Sequence, residues 1–249
     1  IIPTVYGEKA VLRVLDHLGL ESTPEGIGLQ GRDLDLVTKL MAQPQGLVLI
    51  CGPTGSGKTS TLYTLLKMIN QTSHNIITIE DPVEFKLDGI NQIQVNPKVG
   101  LTFENGLKSM LRQDPEIMMV GEIRNFETAE IALRSSITGH KVFSTLHTND
   151  SPSSIVRLID MNVEPYMISA GVIGIISQRL IRILCPKCKT SHRVTDGEFK
   201  LKDDVVYQAV GCEECHHGYQ SRQPIFEILM VDQAIREKIS DEIDLEKLY

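Results

Sequence analysis

The chain has 249 residues, 41% of them apolar, which is enough for one large α/β core and a small appendage. A formal charge of −7 and a pI near 5.5 argue against wrapping nucleic acid over a general basic surface, though not against a local basic patch. No apolar run approaches the length of a bilayer-crossing helix and no secretory signal opens the sequence, while Ile1-Ile2-Pro3 reads as an internal stretch rather than a native start.

In chain order, Val11, Leu12, Val14, Leu15 and Leu18 predict a helix over 5–18, followed by a Gly/Pro/Ser/Thr-rich connection at 19–31. A second amphipathic helix is expected over 34–42, ending before Pro44. Strand 47–51 then leads to helix 58–70, and strand 76–80 ends at Asp81-Pro82. The run 90–95 alternates apolar and polar residues, the pattern of a half-exposed strand. Helix 102–113 precedes strand 117–120, helix 126–137 precedes strand 141–146, and helices are predicted at 152–160 and 164–182. This alternation predicts a mostly parallel sheet with helices on both faces. Residues 183–226 break the rhythm, and a short helical tail closes the chain.

Between strand 47–51 and helix 58–70 lies Gly52-Pro53-Thr54-Gly55-Ser56-Gly57-Lys58-Thr59, with Ser60 just inside the helix. Strand, glycine loop and helix in that order form a nucleoside-triphosphate cradle. The glycines let backbone N–H groups surround a phosphate, and the helix N-terminus faces the same anion. Lys58 would reach the β- and γ-phosphates, and Thr59 would hold Mg²⁺. All eight positions and both flanking elements match, so a glycine turn that binds nothing is the weaker reading.

Hydrolysis also needs a polarised water, and three further strands end in suitable groups. Residues 117–120 run into Gly121-Glu122, 76–79 into Glu80-Asp81-Pro82-Val83-Glu84, and 142–146 into His147, with His140 just ahead of that strand. Ligands of open α/β sheets sit at the carboxyl ends of the strands. Carboxylates there can serve as general base or as Mg²⁺ partners, and His147 can hydrogen-bond the γ-phosphate or report its loss. An aspartate is usual where this chain has Gly121. For each of these residues the competing reading is structural, an acidic turn in solvent or a core histidine, and it weakens once several strands of one sheet end this way.

Of the five cysteines, Cys51 reads as a small buried apolar residue before the loop. Cys185-Pro186-Lys187-Cys188 and Cys212-Glu213-Glu214-Cys215 stand 23 residues apart, a spacing that suits a tetrahedral Zn²⁺ site. Four thiolates leave no open coordination position, so the expected role is structural rather than redox or catalytic. His192, His216 and His217 lie close in sequence and are expected to be exposed. Paired Cys-x-x-Cys motifs in a nucleotide-binding chain point to the cytoplasm rather than to a disulfide framework.

Taken together, the loop, Ile79-Glu80-Asp81-Pro82-Val83-Glu84, the stretch from Leu111-Arg112-Gln113-Asp114-Pro115 to Gly121-Glu122-Ile123-Arg124, and that from Thr138-Gly139-His140 to His147-Thr148-Asn149-Asp150 resemble the secretion ATPase superfamily. Its members are the ring-forming motors of type II secretion and type IV pilus assembly. The resemblance implies a RecA-like core working as a homohexamer on an inner-membrane platform protein, cytoplasmic and docked at the inner face of the membrane through partners. No direct nucleic-acid partner is expected. The implied cofactors and substrate are ATP, Mg²⁺ and Zn²⁺. Glu80 is implied as the base aligning the attacking water and Glu122 as the residue near Mg²⁺, roles that could be exchanged. Residues 6–16 resemble the end of the family's preceding domain, which makes Arg13 a candidate arginine finger. The implied organisation is 1–31 as the end of that domain and linker, 32–182 as the ATPase core, 183–226 as the tetracysteine module of the assembly and export type of motor, and 227–249 as a C-terminal helical segment. The rival reading is a RecA-like translocase or helicase with a zinc ribbon for nucleic acid. A GTP switch fits poorly, since no Asn-Lys-x-Asp tetrapeptide occurs. A scaffold that binds ATP without turnover is separable by single-turnover measurements.

Overall fold

The computed structural model describes residues 1–12, 23–193 and 205–240. Its elements are β1 (Ile2–Thr4), β2 (Gly7–Lys9), α1 (Gly31–Ala42), β3 (Gly46–Cys51), α2 (Lys58–Ile69), β4 (Ile76–Glu80), β5 (Asn91–Gln94), α3 (Phe103–Met110), β6 (Ile117–Val120), α4 (Phe126–Ile137), β7 (Lys141–Leu146), α5 (Ser151–Asp160), α6 (Pro165–Gly171), β8 (Val172–Leu184), β9 (Thr190–Arg193), β10 (Val205–Gln208), β11 (Tyr219–Met230) and α7 (Gln233–Ser240). Seven strands form one sheet in the order β11-β8-β3-β7-β6-β4-β5. Every pairing in it is parallel except that of β11 with β8.

Strands β3, β4, β6 and β7 are buried along their whole length, and β3 and β6 read accordingly as continuous apolar runs while β4 and β7 also bury polar residues. Alternate residues serve opposite faces. Leu47, Leu49, Met118, Val120 and Val142 pack with Leu107, Leu133 and Ile155 from α3, α4 and α5. Val48, Ile50, Met119 and Phe143 pack with Val37 and Leu40 of α1 and with Leu62, Tyr63 and Leu66 of α2. Helices therefore cover both faces, as expected. Among the described residues no helix is long and apolar enough to cross a membrane.

The helix expected over 164–182 is corrected by the structure. Helix α6 stops at Gly171, and Val172-Ile173-Gly174-Ile175-Ile176 enters the sheet beside β3. A short apolar run carries no periodicity that separates a buried strand from a buried helix; β-branching is compatible with either here, and pairing with β3 decides for the strand. A side chain at Gly174 would lie 2.5 Å from Leu40 Cδ2, so the glycine is what lets α1 pack on β8. The helix expected over 5–18 is corrected too, over the part that is described. Strands β1 and β2 pair as a hairpin (Ile2 opposite Lys9), with Gly7 at φ +115°, a backbone that suits a turn and not a helix. Residues 13–18 lie outside the described residues.

The buried Lys141 at the start of β7 ties α1 to the sheet. Its ammonium donates to the carbonyls of Leu40, Met41 and Gln43 at 2.7, 2.9 and 2.7 Å, satisfying the last turn of α1. Lys141→Met should lower unfolding free energy by about 2–4 kcal/mol, since it leaves buried acceptors unpaired. Burial pushes the Lys141 pKa down to about 8 from 10.5, so the unfolded chain holds more protons between those values. In chemical denaturation, wild-type stability should therefore gain on that of the variant as pH rises from 8 to 10.5, and the gain should be lost on return through pH 8.

Candidate functional site

Strand β3 ends at Cys51, and the glycine loop wraps back before α2 begins at Lys58. Gly52, Gly55 and Gly57 all have positive φ (143°, 77° and 88°). At Gly52 a Cβ would stand 2.3 Å from the carbonyl oxygen of Gln178, so no larger residue fits. The first turns of α3, α4 and α5 are capped by the side chains of Thr102, Asn125 and Asp150. Helix α2 starts from Gly57 with no side-chain cap, which leaves its first N–H groups for an anion. Ser56 Oγ is buried in the same loop without a hydrogen-bond partner. Lys58 Nζ donates to the carbonyls of Gly52 (2.8 Å) and Pro53 (3.1 Å), and burial lowers its pKa. Thr59 and Ser60 are exposed on the first turn of α2.

Glu80 at the end of β4, Glu122 just past β6 and His147 just past β7 face the loop across a cavity of about 490 Å³. Thr54 to Thr59, Asp81, Glu84 and Arg124 also line it. The strand order β3-β7-β6-β4 makes these four strand ends neighbours, so the three groups predicted from separate motifs do meet. Gly121 has a structural reason: a Cβ there would sit 3.3 Å from the carbonyl oxygen of Ile79 and 3.4 Å from Glu80 Cα.

The two glutamates sit in different surroundings. Glu80 is only 3% exposed and is held by neutral donors: Thr78 Oγ1 (2.6 Å) and Gln92 Nε2 (3.1 Å) on Oε1, and the Tyr63 hydroxyl on Oε2. Glu122 is partly open. It is ion-paired with Arg124 and lies 3.6 Å from His147 Nε2. That pairing raises the Arg124 pKa.

His140 is not part of this constellation. It precedes β7, at the opposite edge of the sheet, with Nδ1 3.1 Å from the Ser135 carbonyl, in a separate cavity with His74 and Glu116. Arg13 lies outside the described residues. The residues that sequence reasoning missed are the supporting ones. Gln178 on β8 donates from Nε2 to Ser56 O and accepts from Thr61 Oγ1, both at 2.7 Å, bracing the loop from the strand misread as helix. Thr78 lay two residues from Glu80, on the same strand face, a signal that was available; the β5 partner Gln92 and the α2 Tyr63 had none.

The thiols of Cys185, Cys188, Cys212 and Cys215 lie within 4.8 Å of one another, where β8 and β11 end their antiparallel ribbon and β9 and β10 begin another. Sulfur–sulfur distances are 3.7 Å for Cys188–Cys215 and 3.6 Å for Cys212–Cys215. Four ligands about 2.3 Å from a tetrahedral zinc would stand about 3.8 Å apart, so the set fits Zn²⁺. The backbone N–H groups of Gly211 and Cys212 point to Cys188 Sγ and Cys215 Sγ at 3.4 and 3.3 Å, as the outer shell of a thiolate site does. His192, His216 and His217 are exposed.

Known proteins resemble this chain in sequence and in fold. Residues 1–249 match the family described as "Type II/IV secretion system protein". The chain is 45% identical over 248 residues to the "Type II secretion system ATPase E" of Vibrio cholerae, covering 97% of this chain and 49% of that protein. It is 47% identical over 247 residues to the "Type IV pilus assembly ATPase PilB" of Thermus thermophilus, covering 96% of this chain and 28% of that protein. The chain thus spans about half the length, or less, of these curated relatives. Among solved structures it superposes on the pilus retraction motor PilT with bound ADP at a TM-score of 0.69 and 33% identity, over 91% of this chain and 58% of that one. The mostly parallel sheet with helices on both faces is the RecA-like fold of these ATPases. From its fold, its loop and a match along its whole length, the chain belongs to the Type II/IV secretion system protein family.

Proposed function

We propose that this chain is the Mg²⁺-dependent ATPase core of a hexameric motor that drives type II protein secretion or type IV pilus assembly through an inner-membrane platform protein. One observation carries this reading: an uncapped helix start, two glutamates and a histidine, delivered by four adjacent strands, share one cavity. The α2 N–H groups and Lys58 bind the phosphates of ATP. The Thr59 hydroxyl and the Glu122 carboxylate are hard oxygen donors that fit Mg²⁺, which when bound neutralises charge on the β- and γ-phosphates. Glu80 keeps a lone pair on Oε2 and orients water for in-line attack on the γ-phosphorus. The bond to the bridging oxygen breaks, ADP leaves with its electron pair, and the proton passes to the carboxylate. His147, beside Glu122, senses the terminal phosphate. Arg13 is proposed as the finger that reaches a neighbour's nucleotide.

Residues 32–182 act as the motor core and 183–226 as a structural zinc module, with 1–31 ending a preceding domain and 227–249 forming the C-terminal segment. The motor works at the cytoplasmic face of the membrane, held there by partners. A zinc-ribbon helicase or translocase shares the cradle, but the net charge of −7 does not favour it, and stimulation of turnover by single-stranded DNA would revive it.

Lys58→Ala should lower ATP turnover by at least about 10²-fold in a phosphate-release assay, and undiminished activity would contradict the assignment. Glu80→Gln and Glu122→Gln should each cut single-turnover rates by about 10²-fold or more while nucleotide still binds. Metal analysis should find zinc bound to the purified protein. Its removal by a chelator should lower the thermal midpoint, leaving nucleotide binding largely intact.

A further inference from the structure

The Tyr63 hydroxyl is the point where the helix following the phosphate loop meets the strand carrying Glu80. Tyr63 lies on α2, five positions after Lys58, and its side chain is fully buried. It donates to Glu80 Oε2 and accepts the backbone N–H of Glu84 at 3.3 Å. Glu80 Oε1 is held independently by Thr78 and by Gln92, whose Nε2 also donates to Phe85 O (2.9 Å) while its Oε1 accepts from Leu87 N (2.7 Å). The Glu80 carboxylate is thus held from two sides, Thr78 and Gln92 on one oxygen and Tyr63 on the other, and the Tyr63 hydroxyl joins it to the helix of the phosphate loop.

We propose that Tyr63 is a positioning residue for hydrolysis: its hydroxyl fixes the Glu80 carboxylate relative to α2, so that water-aligning acid and phosphate loop keep one geometry. The proposal rests on the reading of Glu80 as the group that orients water. A glutamate side chain has three rotatable bonds, and a base displaced by about 1 Å loses up to about 10²-fold in rate. The Tyr63 donor on Oε2 also restricts the direction from which that oxygen can accept a further hydrogen bond from water. Burial and the contact with Glu80 both push the phenol pKa upward, so the hydroxyl remains a donor at every working pH. The ring has its own packing, edge-on to Phe85 at 6.4 Å between centroids, so Tyr63→Phe subtracts the hydroxyl and keeps the shape.

The test is a double-mutant cycle on ATP turnover with Tyr63→Phe, Glu80→Gln and the pair, read as kcat and KM beside nucleotide affinity and thermal midpoint. Tyr63→Phe should lower kcat about 10- to 100-fold with KM and nucleotide affinity changed less than about twofold. In the Glu80→Gln background the same change should have less than about a twofold further effect, because its route to the chemistry is already cut. Thr78→Val, which strips a donor from the other carboxylate oxygen, should lower kcat in the same direction and keeps the question open to measurement if Tyr63→Phe does not fold. Wild-type kcat in Tyr63→Phe beside an impaired Glu80→Gln overturns the positioning role and leaves the Glu80 assignment standing. A kcat loss that persists in full in the Glu80→Gln background assigns Tyr63 a merely structural role. Wild-type turnover in Glu80→Gln overturns the assignment of the base, and the positioning role with it.

Discussion

A parallel sheet covered by helices on both faces has one unavoidable consequence, on which the rest of this molecule depends. Each crossover returns the chain to the same starting edge, so every parallel strand ends on the opposite one. Side chains far apart in sequence are thereby collected along a single rim, at a lateral spacing of about 4.8 Å per strand. Strands β3, β7, β6 and β4 are consecutive in the sheet, and the groups that follow them share one cavity. The core packing that buries β3, β4, β6 and β7 is therefore also what sets the distances among loop, acids and imidazole.

The difference between Glu80 and Glu122 follows from where each strand stops. Glu80 is still inside its strand, with a register partner on β5 and a helix over it, so its oxygens meet side-chain donors. Glu122 lies beyond the end of β6, partly open, and its partners are the cationic Arg124 and the nearby His147. Two carboxylates at one rim thus present different chemistry without any difference in residue type. One is held rigidly by neutral hydrogen bonds, and the other can exchange its partner for an incoming cation.

Much of this was legible in the residues alone. The phosphate loop, the apolar strands and the carboxylates after them follow from local pattern, because a strand buried on both faces and a glycine loop each leave a signature within ten residues. The four cysteines could be grouped by spacing alone, and the thiols do converge. What could not be read was anything decided by a distant neighbour. Val172 to Gln178 is apolar enough for helix or strand, and only its place beside β3 resolves it. His140 and His147 bracket the same strand and look alike in sequence, yet the strand's length sends them to opposite edges. Tyr63, Gln92 and Gln178 carry no motif. Their roles come from the register of β4 with β5 and from the passage of β8 past the phosphate loop.

That passage has a mechanical corollary. Strand β8 touches the phosphate loop at Gln178 and then runs out of the core, paired among the described residues only with β11, to the cysteine cluster beginning at Cys185. Seven residues of extended chain span about 23 Å. A two-stranded arm of that reach, rooted beside the glycine loop, converts any tilt at its root into a larger displacement at its tip. A tilt of about 10° at the root carries the tip through about 4 Å over such a span. A metal held by the four cysteines would cross-link the far end of the arm and stiffen it against bending.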